Sequence, residues 1–456
     1  MSVSLSDHFT YKKIFKAVTP SILMMIFTSL YTIVDGVFVS NFAGKTPFAA
    51  LNLIWPLIGG VGAVGFMLGA GGSALVAKTM GEGDQARANK IFSMVIYFTV
   101  ILGVILGVVG AITVEPIAKL FGATDEMLPH CVAYGRILLA AIVAFMLQNA
   151  FQAFFIVAEK PVLGFSVSII AGVTNMALDA ALVAGAKLGV AGAAGATVAS
   201  QCVSAIISIV YFSVKNKSPL RLVPAKLEIK PLLRTCFNGS SEFLSNVSMS
   251  VVNVLYNVQL LKFIGENGVA AYGTVQYLSF IFLATYFGYN VGSAPIISYH
   301  FGAQNHGELR NLLKKSLVLM VSIGLIMTAL AEALAKPLSM IFVSYDAELL
   351  SLTAYAMRIF AVSFVICGIN IFASSFFTAL NNGLVSAIIS ILRTLVFQIL
   401  AISVMPLLFG VNGIWTSIIL AEGLSLVVSV ICFIACKNKY HYGKLPKPAE
   451  DISAKV

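Results

Sequence analysis

Twelve predominantly apolar stretches follow one another along this chain, at approximately 17–42, 47–77, 91–114, 131–157, 162–185, 190–214, 236–263, 268–299, 312–335, 352–379, 384–408 and 411–436. A helix needs about 20 such residues to cross the ~30 Å hydrocarbon core of a bilayer. Inside lipid every backbone N–H and C=O must be satisfied within the protein, so segments of this kind fold as helices. The expected fold class is therefore an all-α integral membrane protein of twelve transmembrane helices, with no length left for a separate soluble domain. Composition agrees: 59% of the 456 residues are hydrophobic and 11% are charged, against about 25% charged in soluble domains. No small-residue cleavage pattern follows a short apolar core near Met1, so the first span is expected to stay in the mature chain.

The net charge of +10 does not point to nucleic acid, because in a membrane protein the placement of Lys and Arg matters more than their sum. When the loops are assigned alternately to two sides, one side holds only Lys45, Lys119, Lys187, Lys262 and Lys336. Arg136, Arg358 and Arg393 lie in or near spans, and every other Lys and Arg falls on the opposite side. Positive charge inside predicts a multi-pass protein of the plasma (inner) membrane with both termini cytoplasmic, which requires an even number of crossings. The six cysteines lack CxxC spacing or a nearby His and read as small packing residues.

The chain repeats itself at an offset close to 221. Pro116 and Phe121 meet Pro337 and Phe342, Asp125 meets Asp346, Gly81 meets Gly302, and GVAG at Gly189 meets GVNG at Gly410. AFFIVA from Ala153 matches SFFTAL from Ser375 with a single-residue slip. Six spans separate the copies, so two pseudo-symmetric six-helix bundles should face the same way across the membrane. The predicted division is an N-terminal bundle at 1–214, a basic, proline-containing cytoplasmic linker at 215–234, and a C-terminal bundle with a short tail at 235–456.

Four acids lie well within spans: Asp35, Asp179, Glu242 and Glu422. An ionised Asp at the centre of a span costs ~2.5–3.5 kcal/mol on insertion scales, so each needs a partner, a proton or a purpose. Tyr31 stands one helical turn before Asp35 and offers its hydroxyl to that carboxylate, and Asn175 stands one turn before Asp179, able to point at the same partner. Asn149 and Thr197 add polar atoms from spans four and six. Glu242, Asn246, Ser250, Asn253 and Asn257 form one stripe along span seven, which must line water or another helix. Tyr256, and Gln276 from span eight, extend it into a mixed polar and aromatic surface suited to amphipathic organic solutes. Glu422 has a possible salt-bridge partner in Arg393. GAGGSA at Gly69–Ala74 sits inside an apolar run with no strand before it, so it reads as a helix-packing feature rather than a phosphate loop.

These strings together are specific. YTIVDGVFVSNFAG from Tyr31, GSALVAKTMGEGD after span two, NMALDAALV running on to GVAGAAGATVASQ, and PIISYHFGAQN after span eight resemble the multidrug and toxic compound extrusion (MATE) family over essentially all twelve spans. The resemblance implies two bundles around a V-shaped cavity, alternating access, and export of organic cations or amphipathic drugs against inward H+ or Na+. It implies a coupling site at Asp35, Asp179, Asn175 and Asn149, joined in our reading by Tyr31 and Thr197. Glu242 is similar to a span-seven Glu found in some branches, and with Asn246, Asn253, Asn257, Tyr256 and Gln276 is the expected substrate surface. No cofactor is expected. Na+ at Asp35, Asp179 and Asn175 is the one metal ion the pattern would accept, and no nucleic-acid partner or second copy is required. Two rivals are a flippase for a lipid-linked precursor, which would need basic residues such as Arg136, Arg358 or Arg393 in the cavity, and an intramembrane enzyme, for which no nucleophile–base pair or metal set is evident.

Overall fold

Capping residues set several of the helix starts. In the computed structural model, which describes residues 4–443, the side chains of Thr10, Asp84, Asn305, Asp346 and Asn382 accept from backbone N–H groups in the first turns of the helices they precede. The helices are α1 (Tyr11–Phe38), α2 (Lys45–Gly81), α3 (Gln85–Leu120), α4 (Leu128–Ala140), α5 (Ile142–Val157), α6 (Pro161–Asp179) and α7 (Gly189–Ser213) in the first half. The second half has α8 (Ile229–Phe263), α9 (Glu266–Gly302), α10 (His306–Val343), α11 (Ala347–Ala379), α12 (Gly383–Ile391) and α13 (Phe397–Cys436).

Among the described residues nine helical runs are long and apolar enough to cross a membrane, and α4 with α5, bent by 56°, make a tenth. The 35-residue α8 is long enough, but its polar stripe lowers its hydropathy. The final run, Gly383–Cys436, has 54 residues and turns back at Gly410, where φ is +56°. It is two crossings, and with α8 the total is twelve.

The repeat is written in the backbone. Left-handed residues recur in pairs 221 or 222 apart: Gly44 with Gly265, Gly83 with Gln304, Glu159 with Asn381, and Gly189 with Gly410, the last two both at φ +56°. Asp84 and Asn305, also 221 apart, cap α3 and α10 in the same way.

The predicted linker is shorter than its charge pattern suggests. Residues 229–234 already belong to α8, because a proline such as Pro231 is tolerated in the first turn of a helix, where its missing N–H has no partner to lose. The remainder lies back along α3, with Gln85 donating to the Pro219 carbonyl at 2.7 Å and the Val223 amide donating to Ser93 Oγ at 2.8 Å. Residues 444–456, counted above in the tail, lie outside the described residues.

The two bundles meet on the linker side. Gly71 of α2 lies against the Thr235 carbonyl of α8 and Gly239 of α8 against the Met67 carbonyl of α2, so a Cβ on either would strike backbone. Gly81 with Tyr299 and Gly302 with Lys78 repeat this contact between α2 and α9, and Gly288 and Gly292 seat Ile22 and Val18 of α1. GAGGSA is therefore a packing face, shared between α2's own bundle and the opposite one. Among the described residues, the hydrogen bonds joining the bundles also lie at this face, from Asn381 to the Ala74 carbonyl at 3.4 Å and from the N-terminal segment.

Candidate functional site

Both N-terminal acids sit where helical geometry changes. Asp35 lies in the last turn of α1, just before a π-helical turn at Val39–Ala43, and Asp179 ends α6, where a π-helical turn runs from Ala180 to Gly185. Such turns occur often at functional sites, since each frees backbone groups and re-aims side chains. The two carboxyls are direct neighbours. Asp179 is fully buried, and neither of its oxygens, nor Asp35 Oδ1, receives a hydrogen bond from the described residues. Asn175 Oδ1, Gln148 Oε1 and Thr197 Oγ1 are likewise buried without partners. The buried polar oxygens of this pocket thus lack hydrogen-bond partners among the described residues. Two carboxylates in apposition cannot both stay charged without something positive between them.

Two residues of this cluster carry no signal in the pattern of their own helices. Tyr134 of α4 lies in the neighbourhood of both carboxyls, and Gln148 of α5 lies beside the Tyr31 hydroxyl, with Asp35 nearby. Tyr31, expected to bond Asp35, gives Asp35 Oδ1 no hydrogen bond. Asn149, expected beside the acids, lines the cavity between the bundles instead. Successive helical residues point ~100° apart, so Gln148 and Asn149 face different sides of α5. Thr197 contributes its buried hydroxyl from α7, but no hydrogen bond joins it to either carboxylate.

The inter-bundle cavity, about 80 Å³, lies directly above the glycine contacts. Asn149 and Gln152 of α5 face Glu242 of α8, Asn290 of α9 and Thr378 of α11 across it, with Met25, Phe66 and Phe287 as apolar walls. Asn290 is buried with both amide atoms unpartnered, as is Asn149 Nδ2. Glu242 makes no hydrogen bond or ion pair with the described residues through its carboxylate, and its backbone carbonyl accepts from Asn246 at 2.8 Å.

Glu242 is the one member of the expected substrate stripe that lines this cavity. Farther along α8 the same face meets α9 and α13. Asn253 accepts from Tyr272 at 2.9 Å and from Gln276 at 2.8 Å, and Tyr256, 2% exposed, stacks on Tyr272 at 4.8 Å and donates to Gln398 at 3.4 Å. Asn253, Tyr256 and Gln276 are thus committed to one another inside the C-terminal bundle. Backbone contact with α2 is made at Gly239, and farther along the helix the stripe faces its own bundle. Asn246 turns back onto its own helix, and Asn257 stays half-buried.

Arg393 belongs to a third π-helical turn, Leu392–Val396. Its Nε donates to both oxygens of Glu422, at 3.0 and 3.1 Å, while Asn370 Nδ2 donates to Glu422 Oε2 at 2.8 Å. Arg136 and Arg358 each lie 3.9 Å from a glutamate, Glu115 and Glu332. All three arginines that could have held a phosphate are paired.

A family model described as MatE matches the chain twice, over residues 20–181 and 243–403, once in each bundle. The chain belongs to the MatE family. Family membership makes it a membrane transporter and not an enzyme. Similar proteins include the multidrug export protein MepA of Staphylococcus haemolyticus, 24% identical over 442 residues that cover 95% of this chain and 96% of that one. MepA of Staphylococcus saprophyticus is 25% identical with the same coverage. Among solved structures, an outward-facing conformation of a multidrug resistance MATE family transporter superposes with a TM-score of 0.91 at 22% identity, covering 97% of this chain and 99% of that one. A transporter of the MOP superfamily from Pyrococcus furiosus superposes at 0.87 with the same identity and coverage. These likenesses extend over both bundles of this MatE protein.

Proposed function

We propose that this MatE protein is a secondary active multidrug exporter of the plasma membrane. In this reading it exchanges inward H+ at Asp35 and Asp179 for organic cations or amphipathic drugs bound at the cavity around Glu242. The observation that carries the reading is the apposition of two carboxyls in the N-terminal bundle, on different helices from Glu242. A pair of acids in contact holds a shared proton readily, whereas Na+ would need several oxygen ligands arranged around it. Asp35, Asp179, Asn175 and Thr197 supply oxygens for that second ion, and separate H+ and Na+ gradients distinguish the two. One pH unit supplies ~1.4 kcal/mol per proton and 100 mV ~2.3 kcal/mol per charge moved. A single proton at those values drives a concentration ratio of roughly several hundredfold for a neutral solute.

Both termini and the linker are placed in the cytoplasm by the positive-inside rule. The linker-side closure then corresponds to an outward-facing state, and alternating access requires the glycine contacts to part. One chain contains both bundles, so a monomer in the bilayer suffices. The test is efflux of ethidium from vesicles of purified protein under an imposed pH gradient and, separately, an imposed Na+ gradient. Efflux driven by the pH gradient alone supports H+ exchange, efflux driven by Na+ alone assigns the site to sodium, and efflux with neither refutes ion coupling.

A further inference from the structure

The N-terminal segment runs across the linker face and touches both bundles. At one end Ser4 Oγ and the Leu5 amide both donate to Glu159 Oε1, at 2.6 and 2.8 Å, in the turn between α5 and α6. At the other end the Phe9 amide donates to Glu308 Oε1 at 2.8 Å and His8 Nδ1 lies 2.6 Å from Oε2, in the first turn of α10. The Phe9 carbonyl accepts from Asn311 at 2.9 Å and from Lys315 Nζ at 2.7 Å, and its fully buried ring meets His300 edge-on. Leu5 and Phe9 also join the apolar core of the C-terminal bundle, with Ile297, Leu309 and Leu312.

The two ends differ in strength. Glu308 uses both oxygens and is held by Asn311 of its own helix, while Glu159 uses one oxygen on a half-buried turn. Burial alone would push the Glu308 carboxyl up, yet the hydrogen bonds from Phe9, Asn311 and His8 outweigh it and hold the group below its ordinary value. A carboxyl depressed in this way stays ionised at neutral pH, and its contribution is lost only as pH falls through that depressed value.

We propose that residues 4–9 form a clasp that locks the linker face shut, held on Glu308 throughout the cycle and released from Glu159 each time that face opens. The clasp rests on the alternating-access reading above, because only a protein whose bundles part at this face has anything for it to lock.

The full-length protein in inside-out vesicles provides the test. Ser21→Cys places a thiol at the buried α1–α9 contact, and a membrane-impermeant maleimide on the linker side reads its exposure above the native-cysteine background. Adding Glu159→Ala, which removes the oxygen that accepts from Ser4 and Leu5, should raise the labelling rate roughly tenfold, the factor that ~1.4 kcal/mol represents. An unchanged rate overturns the clasp. A thiol that reacts in neither protein, under any gradient, overturns alternating access and the clasp with it. A disulfide between Ser4→Cys and Glu159→Cys should stop ethidium transport until it is reduced, whereas one between His8→Cys and Glu308→Cys should leave transport running. Transport with the first tie closed, or arrest by the second, overturns the assigned point of release.

Discussion

Glu422 and Arg393 grip each other at 3.0 and 3.1 Å inside the C-terminal bundle, and Asn370 completes the carboxylate's shell at 2.8 Å. The side chains are 3% and 15% exposed, so neither charge has much water to fall back on. Removing one partner of such a pair leaves a buried charge and costs ~3–5 kcal/mol. Glu422→Gln should therefore lower the unfolding temperature of the protein in detergent, and Glu422→Gln with Arg393→Met should recover much of the loss. A Glu422→Gln protein as stable as wild type, with transport abolished, would give the pair a role in the cycle.

Glu242 faces Asn149, Gln152 and Asn290 and forms no ion pair among the described residues, the nearby Arg393 being taken by Glu422. Glu242→Gln keeps shape and hydrogen bonding but removes charge. It should weaken binding of cationic drugs by roughly tenfold, ~1.4 kcal/mol, and leave neutral amphipathic compounds near wild type. Equilibrium binding of one compound of each kind decides it, and equal losses would remove the selective role.

At Gly71 and Gly239 backbone packs on backbone, so an added methyl group meets atoms that cannot turn aside. Gly239→Ala should disfavour closure of the linker face and speed maleimide labelling of the native Cys236, one turn away, from that side. Gly60, which has open space around it, is the matched control, and Gly60→Ala should leave the rate unchanged. Equal rates for Gly239→Ala and wild type would mean that the glycine contact does not hold the face shut.

The twelve crossings and their repeat were legible because both rest on local rules, apolar length and matching turn residues, and the paired left-handed glycines follow from the same strings. The apposition of Asp35 and Asp179 was legible because an acid inside a span needs company and two were available in one bundle. Three features were not. Which of Gln148 and Asn149 faces the acids depends on the rotation of α5, and no spacing within that helix reveals it. Asn253, Tyr256 and Gln276 continue the Glu242 stripe at helical spacing, yet a stripe does not say where a neighbouring helix diverges. Glu159 and Glu308 fall between the apolar stretches, where a solvated charge is the ordinary expectation, and only the path of residues 4–9 gives them work.

The most direct measurement is gradient-driven ethidium efflux from vesicles of Asp35→Asn, Asp179→Asn and the double variant, beside equilibrium binding of ethidium in detergent. Asn keeps the size and hydrogen bonding of Asp and removes its titration. Each single variant should lose coupled efflux while binding stays near wild type, Asp179→Asn less completely because Asp35 still titrates, and the double variant should lose it entirely. Wild-type efflux by the double variant would contradict the assignment of coupling to Asp35 and Asp179.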